Sequence, residues 1–163
     1  MDKRCFFIGH RDAPLKIKQN LKTVVEDAIA KRGINDFIVG HYGNFDQMAA
    51  ASVIELKGKY PEIKLFRLLP YHPAERAVDI PAGFDGTYYP EGQEFVPPKY
   101  AIAKANRAVI SDCNLIIAYS TYPGNARDFV SYAVKKGVSV MQVAPDCSCG
   151  EGKSVGDTLE DLQ

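Results

Sequence analysis

Three histidines stand at equivalent points of the chain. His10, His41 and His72 each follow a short apolar run, RCFFI ending at Ile8, DFIV ending at Val39 and IKLFRLL ending at Leu69. An imidazole titrates near neutral pH, so it can move a proton, bind a metal or hydrogen-bond an anion. Other reactive types gather beside them: Arg11 and Asp12 after His10, Tyr42 after His41, Tyr71 before His72. A metal triad would need three separate loops to converge across strands about 4.8 Å apart. No HxH or HxxxH pair supports one, and no metal site is expected. A fourth apolar run, Leu115 to Tyr119, leads through Ser120 into the turn Tyr122-Pro123-Gly124-Asn125 and then into ARDFVSYAVKKG. A strand feeding a glycine turn and a helix start is an anion seat, because the first helical amides lack partners and the helix dipole favours negative charge. Gly124 and Asn125 would hold a phosphate or carboxylate there. Arg127 could clamp it or face water. Gly40 and Gly43 bracket His41-Tyr42 in a second glycine-flanked turn, and Gly9 stands before His10. Gly9 either lets a ligand approach the backbone or is an ordinary turn residue.

The elements that position these residues alternate regularly. Strands are expected at Arg4–Ile8, Asp36–Val39, Ile63–Leu69, Leu115–Tyr119 and Val138–Val143, with helices at 14–31, about 45–59, 99–112 and 125–136. Asp12 and Pro14 suit the start of the first helix, and Gly33 its end. Alternating strands and helices imply a parallel sheet with right-handed crossovers. The wholly apolar strands fit a sheet covered on both faces. The expected fold is a Rossmann-like three-layer α/β/α domain with five parallel strands in the order 3-2-1-4-5. Ligands then sit outside the carboxyl ends of the strands, at the switch point between strands 1 and 4. All three histidines, with Arg11, Asp12, Tyr42, Ser120 and Gly124, fall along that edge.

One stretch breaks the alternation. Residues 73–98 hold five of the ten prolines together with Phe84, Tyr88, Tyr89 and Phe95. A loop of this length in a small domain suits a lid, whose aromatics would stack on a base or cover the sheet edge. Residues 1–146 are read as one domain and 147–163 as a polar tail.

Composition narrows the functional classes. The chain has 163 residues, 46% hydrophobic, with 20 basic and 20 acidic residues in balance. The length and apolar share suit one folded domain. The zero net charge gives no global attraction to nucleic acid or an anionic membrane. No apolar run approaches the roughly 20 residues of a bilayer span, and the start MDKRCFFIGH shows no secretory h-region. The expectation is a cytoplasmic protein that binds neither membrane nor nucleic acid. Cys5 and Cys113 read as buried thiols, and Cys147 and Cys149 form a single C-x-C short of a zinc site. The tail's GEGKS departs from a P-loop, which needs glycine where Cys147 stands.

These residues resemble the SLOG superfamily, and within it the YpsA-like branch. The resemblance runs from GHRD through LLPYHPAER to the fifth strand and is best in KANRAVISDCNLIIAYSTYPGNARDFVSYAVKKG. Arg107, Ser111-Asp112 and Gly124 match that superfamily's arginine-bearing helix, its Ser-Asp before a strand and its glycine turn. The resemblance implies a nucleotide or nucleotide-derived ligand and a homodimer. The hydrolytic LOG members carry a PGGxGTxxE turn with a catalytic glutamate. Here Pro123-Gly124 fit, Asn125 replaces the second glycine, Arg127-Asp128 stand for Gly-Thr, and Ser131 takes the glutamate's place.

The leading expectation is therefore a sensory or regulatory binder of a nucleotide-type ligand, with no further cofactor identified. Its contacts would come from Gly9, His10, Arg11, His41, Tyr42, Gly43, His72, Arg107, Ser120, Gly124, Asn125 and Arg127. An N-glycosidic hydrolase acting on nucleoside monophosphates is the alternative. Asp128 or Asp12 would then have to supply the missing carboxylate. A ligand-free protein-interaction module is the second alternative.

Overall fold

The computed structural model describes residues 3–40 and 43–145. His41, Tyr42, the Cys147–Cys149 pair and the tail from 147 lie outside them. The central strand β1 (Arg4–Gly9) buries Cys5, Phe6, Phe7 and Ile8 in succession. A strand apolar on both faces needs a layer on each side. Cys5 and Phe7 point to one face and Phe6 and Ile8 to the other, and the core divides accordingly. On one face stand α1 (Lys18–Arg32), entered through a short 3-10 turn at Leu15–Ile17, and α2 (Asn44–Leu56). The α2 residues Phe45, Met48, Ala49, Val53 and Leu56 are buried at helical spacing. The other face is covered by α3 (Ala101–Asp112) and α4 (Asn125–Lys135), through Ala105, Val109, Ile110, Ala126 and Ala133.

The remaining strands are β2 (Asp36–Val39), β3 (Lys64–Leu68), β4 (Gly86–Tyr88), β5 (Leu115–Tyr119) and β6 (Ser139–Gln142). All pair parallel, in the order β4-β3-β2-β1-β5-β6. The expected five-strand order is present, with β5 and β6 taking the fourth and fifth places. One strand is added. The correction falls in the 73–98 stretch, where Gly86–Tyr88 pairs with Phe66–Leu68 and extends the sheet edge. Three residues without apolar alternation give no strand signal. A tertiary anchor makes the strand. Asp85 Oδ2 accepts from Leu65 N at 2.9 Å and from Lys57 Nζ at 2.5 Å, and that lysine also donates to Gly83 O at 2.8 Å. Two of the four aromatics in this stretch serve the core: Phe84 packs against the α1/α2 side and Tyr88 against the α3/α4 side.

Cys5 and Cys113 are buried free thiols, as expected. Burial pushes both up in pKa, Cys113 to about 12, so neither is a nucleophile at neutral pH. No helix among the described residues is long and apolar enough to cross a membrane.

Candidate functional site

The chain turns from one face of the sheet to the other between β1 and β5. There the carboxyl ends of the strands part around a cleft of about 370 Å³. Gly9, His10 and Arg11 line it from β1, Gly40, Gly43 and Asp46 from the start of α2, and Gly124, Asn125, Ala126 and Phe129 from the start of α4. Leu68 and Pro70 after β3, and Ile102 and Asn106 on α3, close the third side. Among the described lining residues none comes from 73–98, although Pro70 and Ile102 flank that stretch.

Three of the four cleft glycines do different things. A Cβ on Gly9 would lie 2.2 Å from Phe45 Cγ, so the bare backbone there admits helix α2. Gly43 is extended, and a Cβ there would lie 2.5 Å from Arg11 Cα. It lets the two loops meet, with Asn44 N donating to Arg11 O at 2.8 Å. Gly124 alone is open. Its φ is +150°, a region that side chains disfavour, and nothing lies within 4 Å of where its Cβ would stand.

The amides that follow belong to the first turn of α4. In α4 the first helical acceptor is Gly124 O, which takes Asp128 N at 3.0 Å. The N–H groups of Asn125, Ala126 and Arg127 precede that bond, and no side chain caps the helix. The start of α2 also lacks a side-chain cap, but it carries Asp46 in its first turn and that carboxyl lines the cleft.

His10 sits between the walls. It is 5% exposed, and its Nε2 accepts from Thr121 N at 2.8 Å and Tyr122 N at 3.3 Å. An imidazole accepting twice at one nitrogen is neutral and carries its proton on Nδ1. Burial holds its pKa below the ordinary histidine value, Arg127 adding to the effect and Asp12 opposing it. His10 thus ties the end of β1 to the turn after β5. Tyr122 stacks on it, and the Tyr122 hydroxyl donates to Asp12 Oδ1. That hydrogen bond holds the Asp12 carboxyl below its usual range.

Several expected site residues lie elsewhere. Ser120 is buried, with its Oγ accepting from Gln142 Nε2 at 3.3 Å, away from the lining. Arg127 turns back along the chain, its Nη2 donating to Ser120 O at 3.4 Å, so it is no clamp across the cleft. Its Nε is buried without a hydrogen-bond partner. The Nδ1 of His72 accepts from Ala74 N at 3.0 Å, which makes this histidine the anchor of its own turn. Arg107 is exposed, its guanidinium 6.0 Å from the Tyr132 ring between α3 and α4. Asp12 and Asp128 are outside the lining. His10, Arg11, Gly43, Gly124 and Asn125 are brought together as expected. Sequence reasoning missed Asp46, Ile102, Asn106 and Tyr122. Asp46 and Tyr122 flank the two glycine turns and were open to notice; Ile102 and Asn106 depend on how α3 packs.

No family pattern and no curated protein matches the chain in sequence. Solved structures do match in fold. DNA processing protein A (DprA) from Streptococcus pneumoniae superposes with a TM-score of 0.64 at 15% identity, over 99% of this chain and 54% of that one. The chain thus spans about half the length of that protein. The Moco carrier protein from Chlamydomonas reinhardtii superposes with a TM-score of 0.52 at 14% identity, over 88% of this chain and 76% of that one. At these identities the likeness is one of architecture: the chain has a Rossmann-like α/β fold.

Proposed function

We propose that the cleft binds a small nucleotide-type ligand, with its phosphate seated on the N-terminus of α4. The observation that carries this is the open position at Gly124, followed by three helical amides with no side-chain cap. Two carbon-free features meet there, empty space and unpartnered donors, and an anion satisfies both. A volume of about 370 Å³ lies at the small end of ligand pockets and favours a mononucleotide over a dinucleotide. The fold shared with a protein named as a Moco carrier supports a ligand-carrying use.

Neither of the two carboxylates expected to serve hydrolysis lines the cleft. Asp12 is engaged by Tyr122, and Asp128 is exposed outside the lining. The test is a thermal-shift and calorimetric screen against nucleoside monophosphates and ADP-ribose. A ligand at a hundredfold excess over its Kd stabilises the native state by about 2.7 kcal/mol. The expected result is a shift with at least one phosphate-bearing member. No shift with any would overturn the proposal. Release of free base on incubation with a bound member would replace binding by hydrolysis.

A further inference from the structure

Tyr122 is fixed from two sides, yet stays open on a third. Its ring lies 3.5 Å from the His10 imidazole with the planes 6° from parallel. Its hydroxyl is held by Asp12. The imidazole behind it is itself pinned by the amides of Thr121 and Tyr122 and stands edge-on to Tyr119. Even so, Tyr122 remains 45% exposed. Because His10 covers one face, the exposed area is the opposite face and the ring edge. Tyr122 also lines the cleft, two residues before the Gly124 opening.

We infer that the uncovered face of Tyr122 is a stacking platform for the heterocyclic base of the ligand, so that the cleft selects nucleoside phosphates over sugar phosphates and inorganic anions. This rests on the reading of the cleft as a nucleotide site and adds the group that recognises the base. A free tyrosine would lose rotamer freedom when a base stacked on it. Here the ring is oriented before the ligand arrives, which removes that cost. The bond to Asp12 keeps the hydroxyl protonated, so the ring presents a neutral π-face. Stacking reads area and no hydrogen-bond pattern, so purines bind better than pyrimidines and adenine is not distinguished from guanine by this residue.

The test is calorimetry on the full chain with three probes: AMP, ribose 5-phosphate and inorganic phosphate. AMP is expected to bind ~10-fold or more tighter than ribose 5-phosphate, the margin of one stacked base. Tyr122→Leu is expected to bring the ratio of AMP to ribose 5-phosphate affinity close to one. Tyr122→Phe, which keeps the ring and loses only the Asp12 bond, is expected to retain most of it. A second readout does not depend on the leucine variant folding. The chain has nine tyrosines and no tryptophan, so AMP stacking quenches tyrosine emission, and in Tyr122→Phe the quench is lost although AMP still binds. If both ligands bind and the AMP margin is absent, or survives in Tyr122→Leu, or the quench persists in Tyr122→Phe, the platform is wrong and the anion seat stands. If none of the three probes binds, the seat fails and the platform with it.

Discussion

At the scale of single residues, His10 is a joint. Its lone pair holds two amides of another loop, and a proton on that nitrogen would break both contacts. The folded-state pKa lies below the ordinary value of about 6.5. The unfolded chain therefore takes the proton first, and its contribution to stability is complete above about pH 6.5. It declines as the pH falls below that value and levels off beneath the folded pKa. Melting temperature is expected to drop between about pH 6.5 and 5, before the carboxylates titrate. His10→Gln, which keeps an acceptor that does not titrate there, is expected to flatten this drop; an unchanged slope would reject the assignment. Gly9 makes a second prediction. Phe45 is buried and contacts Phe7 and Tyr119, so it has nowhere to retreat from a methyl at Gly9. Gly9→Ala is expected to cost about 1–3 kcal/mol in denaturant unfolding, with part recovered when Phe45 is also shortened to Leu. At this scale the sequence pointed to the right positions more often than to the right roles. Position followed from strand ends, while roles depended on which neighbour each side chain met: Phe45 for Gly9, two amides for His10, Ala74 for His72.

At the scale of elements, the four α-helices and the five longer strands were legible, because apolar periodicity encodes burial and burial is what these elements share. The edge strand β4 was not. Its residues alternate intermediate, exposed, intermediate, and what aligns it is Asp85, which bonds a strand amide and a helix lysine at once. Burial alone would raise the Asp85 carboxyl, but Lys57 and the Leu65 amide outweigh it and hold the pKa below its ordinary value. Asp85→Ala removes that anchor and leaves Leu65 N–H and the ammonium without their common acceptor. The expected cost is about 1–3 kcal/mol in unfolding experiments, with faster amide exchange concentrated in Gly86–Tyr88. Uniform loss of protection across the sheet would argue against an edge-specific role. Gly124 belongs to this scale too, since it sets the direction in which α4 starts. Its φ of +150° means that any side chain there strains the turn. A Gly124 variant therefore tests binding only alongside a melting curve.

At the scale of the whole molecule, twenty basic and twenty acidic residues cancel, and no long-range field guides an anion to the cleft. In the proposed site attraction would come from helix amides and act within a few ångströms, inside the screening length of about 8 Å at physiological salt. Association of AMP is therefore expected to slow only a few-fold when salt rises from about 0.05 to 0.2 M. A loss of a hundredfold or more, measured by stopped flow, would instead reveal a basic funnel. The cleft's place at the switch point was legible from topology alone, since strand order puts it there. Its third wall was not, because Ile102 and Asn106 reach it only through the packing of α3 beyond a stretch without periodicity.

The joint at His10 also sets a clock. Thr121 stands in a turn, and its amide would exchange with solvent readily without a partner. Its partner is an imidazole from a loop 111 residues away in the chain. Each exchange event at Thr121 therefore requires the ends of β1 and β5 to part, and the protection of that one proton counts how often they do. Acid is expected to shorten the interval by occupying the acceptor, and a ligand bridging the two walls is expected to lengthen it. A single amide in the turn would thus report the opening rhythm of the cleft, with no probe placed inside it.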